Sequence, residues 1–177
     1  MKEALKKAIE VLPQNVSQDA QSMMRRMVAA MQTDVAQDRQ LANASYCSLL
    51  LKLSEADLVR EFDLAIQEAM QSIRTGAGKA NGFAAGLSLS MSPMDDTEAG
   101  SNEDFSTSTA LFKKICAKAK EYRVEGVLAF DKEIFLAALR EAFTKARVGS
   151  AEVASLLPAA RRALNTELLN LYGKLDS

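Results

Sequence analysis

Residues 54–73 read SEADLVREFDLAIQEAMQSI, and this stretch carries the clearest helical signal in the chain. Its apolar residues return every third or fourth position, which places them on one face of an α-helix. They are Leu58, Phe62, Ala65, Ala69 and Ile73, with Val59, Ile66 and Met70 widening the stripe. Because Ser54 and Asp57 form a weak capping box, the helix is predicted to begin at Ser54. A helix with one apolar face needs partner helices.

The residues before this stretch predict two more helices. A short helix from Lys2 to Leu12 is expected to end at Pro13, and to serve as a docking arm or a loosely attached terminus. A second helix is expected from Ser17, with a break near Asp38 favoured over one rod reaching Leu53, because that rod exceeds the usual helix length. Its predicted buried stripe comprises Ala20, Met24, Met27, Met31, Val35, Ala42, Tyr46, Leu49 and Leu53.

The residues from 75 to 109 have a different composition, rich in Gly, Ser and Thr. One lysine against five acidic residues gives this segment a net charge of −4, so a long acidic loop is predicted. Two groups of residues are candidates for binding a protein partner: the loop residues and two helical methionines with flexible side chains. They are Phe83, Leu87, Leu89, Met91, Asp95 and Asp96, together with Met27 and Met31. A solvated loop and methionines buried in the core are the simpler interpretations.

Helical periodicity resumes near Ser108 and continues almost to the last residue. Asp131 is predicted to cap a helix, and Ser150 to start another turn. Pro158 fits the first position of a final helix. Arg161 and Arg162 lie off the leucine stripe of that helix and are expected to be solvated.

These patterns predict an all-α protein, an antiparallel bundle of about six helices with a long acidic Gly/Ser-rich loop. Residues 1–177 are expected to form a single helical domain. Its predicted parts are helical hairpins at 16–74 and 108–175, joined by the loop 75–107.

Several short motifs resemble a large bacterial family of unknown function, whose members carry a Leu-Ser-Leu-Val-Asp-Asp-Glu stretch and a helix ending in Leu-Tyr-x-x-Leu-Asn. The matching residues are Leu87 to Leu89 with Asp95 to Glu98, Leu139 with Phe143, and Leu168 to Leu175. Residues 90–94 intrude before the acidic pair, and Asp176 stands where the family has asparagine. The resemblance implies a bacterial, helical, intracellular protein, and it supplies no catalytic residue.

The composition excludes several classes of chemistry. The chain has no histidine, so a Ser-His-Asp triad, a Cys-His pair and a histidine zinc ligand are all ruled out. Cys47 and Cys116 are predicted to be small buried residues rather than a disulfide. The acidic residues Glu55, Asp57, Glu61 and Asp63 are the only grouping considered for acid–base work, and helix-surface roles are favoured for them. No enzyme activity, cofactor or metal site is expected.

The net charge of −1 gives no overall attraction to nucleic acid, and a solvated face is favoured for the lysines between Lys113 and Lys120. No stretch predicts a membrane span or a signal peptide, so a cytoplasmic location is expected.

The predicted function is a helical protein-interaction or adaptor protein, with self-association as one form of it. The alternatives are an export-chaperone-like binder of a helical or aggregation-prone client, and a regulatory domain of the bacterial family.

Overall fold

The structure, a computed structural model, describes residues 2–38, 43–75 and 105–176. Over these ranges the chain is helical and contains no strand, which confirms the all-α prediction. The helices are α1 (Lys2–Gln37), α2 (Ala44–Thr75), α3 (Ser106–Tyr122), α4 (Lys132–Lys145) and α5 (Ser150–Asp176), with a 3₁₀ turn at Val127–Phe130. The body of the predicted loop, 76–104, lies outside the described residues.

Helix α1 is continuous through Pro13, so the predicted stop at that residue is wrong. An internal proline removes one backbone hydrogen bond and destabilises an isolated helix by about 3 kcal/mol. Here Leu12 and Val16 are buried on either side of Pro13, as is the proline itself, and core packing of this face offsets the loss. The first turns are likewise anchored, through Leu5 and Ile9. The predicted hairpin start at residue 16 therefore falls inside a helix that begins at Lys2.

The predicted break near Asp38 is confirmed, because α1 ends at Gln37 and α2 begins at Ala44. The N–H of Asp38 donates to the Val35 carbonyl at 3.2 Å, a tightened final turn. Ser54 lies well inside α2 rather than at its start, so the capping prediction there is wrong. Leu58, Phe62 and other members of the predicted stripe do face the core.

Local signals set the boundaries of α3 and α4. Arg123 adopts the left-handed conformation after α3, and the N–H groups of Arg123 and Val124 donate to the carbonyls of Lys120 and Ala119. This is the paired hydrogen bonding typical of a helix C-terminus. Asp131 caps α4 as predicted, and its Oδ1 accepts a hydrogen bond from the Lys132 N–H at 2.8 Å.

Helix α5 departs from its prediction at two residues. It starts at Ser150 as expected but continues through Pro158, which is not at a first helical position. Arg161 is buried, not solvated, because it lies on the side of α5 that packs into the protein. Arg162 is exposed, as predicted. The described residues form five α-helices where about six were predicted, and the boundaries expected at Pro13, Ser54 and Pro158 all lie inside helices.

Helix α1 packs against both α2 and α5, while α4 covers part of α2 and α3 packs on α5. Side-chain hydrogen bonds join the central pairs: the Gln67 amide donates to the Ser17 carbonyl at 2.8 Å, and the Arg162 guanidinium donates to Asp34 at 2.7 Å. The Tyr172 hydroxyl of α5 donates to the Phe130 carbonyl at 2.7 Å and ties the 3₁₀ turn to the core. Among the described helices, none combines the length and apolar character needed to cross a bilayer.

Candidate functional site

The predicted partner-binding residues fall into two groups in the structure. Phe83, Leu87, Leu89, Met91, Asp95 and Asp96 lie outside the described residues. Met27 and Met31 are 1% and 0% exposed and belong to the core. In this conformation neither methionine reaches the surface, so the interpretation of these methionines as core residues is the one that the packing supports.

The described surface carries one line of exposed large apolar side chains, on the outer face of α2. Tyr46, Leu49, Leu53 and Leu64 are 52%, 53%, 74% and 54% exposed. At 100° per residue, all four lie within about 40° of the direction of Leu53, and together they form what we call the α2 stripe. Single exposed leucines are normal on a protein surface, but an aligned set on one helix is a candidate contact surface.

The first three of these residues were predicted to be buried, and that prediction is wrong. It extended the periodicity of the preceding helix beyond Gln37, the residue at which α1 ends. Because α2 starts afresh at Ala44, its rotation is set by its own packing, and Cys47 and Leu51 turn inward instead. Leu64 was overlooked, although the sequence places it on the face that also carries Asp57 and Arg60.

The orientation of α2 explains why the stripe is uncovered. The helices that pack on α2 contact its opposite side, which carries buried residues such as Cys47, Leu51 and Phe62. The stripe occupies the side of α2 that faces neither α1 nor α4.

The charges beside the stripe are paired with each other. Arg60 contacts Asp57 at 3.1 Å, and its Nε lies 3.4 Å from Glu61. A shallow groove of about 370 Å³ between α1 and α2 borders the stripe at Ala56 and Arg60. The stripe is therefore an apolar strip interrupted near its centre by paired charged side chains.

Other polar clusters have structural partners. Arg26 of α1 lies between Asp19 and Glu167, at 2.8 and 2.7 Å, and these hydrogen bonds raise the pKa of its guanidinium further above its ordinary value. Glu167 is buried, so this cluster joins α1 to α5 as a fixed contact. Asp63, one of the acids considered for catalysis, accepts hydrogen bonds from the amides of Gln21 and Gln67.

The lysine face of α3 is partly engaged within the molecule. Lys118 and Lys114 contact Asp176 at 2.6 and 2.9 Å and lower the pKa of that carboxyl. Lys113 and Lys120 are exposed. The pairing with the end of α5 reduces the charge that this face presents to an anionic partner.

The two cysteines are free, and neither has the environment of a nucleophile. Burial raises the pKa of both thiols, with further contributions from the negative charges of Glu152 at Cys47 and Asp131 at Cys116. Reactive cysteines have the opposite shift, towards the thiolate. Within 2–38, 43–75 and 105–176, no group of three or more acidic or cysteine side chains is arranged to hold a metal ion.

Comparison of the chain with protein-family models, with curated proteins and with solved structures gives no match.

Proposed function

We propose that this protein is a non-catalytic helical interaction protein that binds the apolar face of a partner helix along the α2 stripe. The observation that carries the proposal is the alignment of Tyr46, Leu49, Leu53 and Leu64 on one uncovered helix face. A partner helix with apolar residues every third or fourth position matches this geometry, because both surfaces then present ridges of the same spacing.

We also propose that the helices of the bundle, α1 and α5 among them, run antiparallel to each other. The contacts of α1 with α5 support it, since Asp34 pairs with Arg162 while Arg26 pairs with Glu167 further along α5. Residue numbers thus fall along α1 as they rise along α5. We place the protein in the cytoplasm, with a protein partner and without nucleic acid as a ligand.

An export chaperone would bind its client through a groove rich in methionine and leucine. With Met27 and Met31 in the core, the α2 stripe is left as its client surface. A chaperone would keep an aggregation-prone client in solution, whereas an adaptor would bind a folded helix without that effect. The regulatory-domain alternative adds no surface of its own, so the adaptor remains the proposed function.

A fluorescent amphipathic peptide with leucines at helical spacing tests the proposal, with a scrambled peptide of the same composition as control. We expect saturable binding of the first peptide, measured by fluorescence anisotropy, and at least about tenfold weaker binding to Leu53→Glu, because the substitution places a charge in the apolar contact. Leu128→Glu is the matched control, because Leu128 is also 74% exposed but lies on the 3₁₀ turn.

Equal binding of the scrambled peptide and of the peptide with leucines at helical spacing would refute this function. So would equal losses in Leu53→Glu and Leu128→Glu.

A further inference from the structure

We propose that residues 2–12 of α1 form a strap that detaches from the rest of the protein as one unit, with Pro13 as the break point. In the closed state the strap covers Leu175 near the end of α5, and in the open state it uncovers that residue. The strap shares no residue with the α2 stripe, so this device does not depend on the proposed function.

The backbone of α1 is weakened at Pro13. A proline has no N–H, so residue 13 cannot donate to the carbonyl of Ile9 as another residue in a helix would. That bond is one of the few that would join the strap to the rest of the helix. Separation of α1 at this point therefore breaks one backbone hydrogen bond fewer than separation at a position without proline.

The polar contacts of α1 with other helices begin only after the strap. Among the described residues, the side-chain hydrogen bonds and ion pairs between α1 and other helices all lie at Ser17 or later positions. Ser17 itself accepts hydrogen bonds from Gln67 and from Arg74, at 2.8 and 3.3 Å. The contacts that follow it along α1 are made by Gln21, Arg26 and Asp34. Within the described part of the chain, α1 is thus tied to α2 and α5 by polar contacts from Ser17 onwards.

Apolar contact holds the strap in place. Its inward-facing residues Leu5, Ile9 and Leu12 are buried but remain 7%, 6% and 4% exposed. Met24 and Val28, further along α1, are 0% exposed. The strap is therefore less tightly enclosed than the later turns of the same helix.

Two clefts flank the strap and limit its contacts. One, of about 280 Å³, is lined by Leu5 together with Tyr122 and Leu175. The other, of about 420 Å³, is lined by Ile9 and by Val124 in the turn after α3. Open space on both sides reduces the apolar area that holds the strap, and hydrophobic stabilisation scales with that area.

A detached strap does not keep its helix, because so short an isolated helix is unstable in water. Its amides then exchange with solvent, and so do those of residues 14–16, which donate to strap carbonyls in the closed helix. Leu175, which is 6% exposed and shares clefts with Leu5 and Leu12, loses this cover at the same time. Opening therefore exposes apolar surface on the strap and on α5.

Hydrogen exchange of the full chain, measured amide by amide by NMR, is the first test. We expect the amides of residues 6–12 and 14–16 to share one protection factor, because one opening event exposes all of them. Over residues 20–35 protection should be higher by about a hundredfold or more, because opening there must also break the polar contacts. Protection that rises gradually, turn by turn, through residue 16 is fraying and would overturn the proposal.

Pro13→Ala restores the missing backbone bond and tests the break point. We expect it to slow exchange over residues 6–16 at least about tenfold, because proline is strongly unfavourable inside a helix. Pro158→Ala is the matched control, since Pro158 lies inside α5 and its replacement should leave exchange over residues 6–16 unchanged. Equal effects of the two substitutions, or no effect of Pro13→Ala, would refute a break at Pro13.

Thiol labelling tests what the strap covers, with Leu175→Cys in a Cys116→Ala background. Cys47 is 0% exposed and serves as an internal reference for wider unfolding. The labelling rate of a buried thiol follows the fraction of molecules in which it is open. We expect position 175 to react faster than Cys47, and Pro13→Ala to slow that reaction by the same factor as amide exchange in the same background. Labelling at position 175 that is unchanged by Pro13→Ala would show that another motion uncovers α5, and the covering role of the strap would be wrong.

Discussion

Tyr172→Phe removes a single buried hydrogen bond while keeping the aromatic ring. The Tyr172 hydroxyl donates to the Phe130 carbonyl at 2.7 Å, and the ring lies 4.9 Å from that of Phe112. Phenylalanine fills the same space, so no cavity forms and the contact between the rings is kept. The substitution therefore isolates the link between α5 and the 3₁₀ turn.

The expected loss of unfolding free energy is about 1–2 kcal/mol. A neutral hydrogen bond contributes roughly 1 kcal/mol net, and a buried carbonyl that loses its partner adds a desolvation penalty. For a chain of 177 residues, each kcal/mol shifts the melting temperature by about 2–4 °C, which gives a decrease of roughly 2–8 °C. Urea unfolding followed by circular dichroism measures the free energy, and the slope with urea should not change.

Tyr46→Phe is the matched control, because Tyr46 is half-exposed on α2. We expect its effect to stay within about 0.5 kcal/mol. If the two variants lose the same free energy, the buried hydroxyl does not hold the 3₁₀ turn in place, and the reasoning is refuted.

Three further predictions concern stability. Pro158→Ala should stabilise the protein by about 1–2 kcal/mol in urea unfolding, because this exposed proline interrupts the hydrogen bonding of α5 and fills no core space. Arg26→Met should lower the free energy of unfolding by about 1–2 kcal/mol, because it leaves the buried Glu167 carboxylate without this cationic partner. Arg162→Met should lower it by less, because its partner Asp34 is better solvated. Equal losses in the two variants would contradict this prediction. Burial, with the nearby negative charge of Asp131, raises the pKa of the Tyr172 hydroxyl, so the folded state keeps a proton that the unfolded chain loses near pH 10. Stability should therefore fall as the pH rises above about 10, and Tyr172→Phe should show a shallower fall in unfolding experiments across that range.

The sequence predicted the helices correctly where local signals and packing agree. The apolar face of α2 that carries Leu58 and Phe62 is buried as expected. Asp131 caps α4, and α1 ends close to Asp38, both as predicted. In each case a short-range pattern determines the outcome: the helical period, a side chain that bonds the backbone, or a polar residue at an apolar position.

The errors occurred where distant packing overrides a local rule. Pro13 is tolerated because the face around it is buried against the rest of the protein. The burial of Arg161 and the exposure of Leu53 depend on how each helix is rotated about its axis, and neighbouring helices set that rotation. The local sequence pattern does not determine this rotation, which is why Tyr46, Leu49 and Leu53 were wrongly predicted to be core residues.

The exposed apolar residues of this protein differ in what they imply. Val11 and Leu128 are exposed singly, one on α1 and one on the 3₁₀ turn, and such isolated residues need no functional explanation. A leucine as exposed as Leu53 contributes little to folding, because hydrophobic stabilisation scales with the area removed from water. Such a side chain contributes hydrophobic stabilisation only when another surface covers it and removes it from water. Since the α2 stripe aligns four exposed apolar side chains on the side of α2 that faces neither α1 nor α4, association is the process in which this apolar surface would be buried.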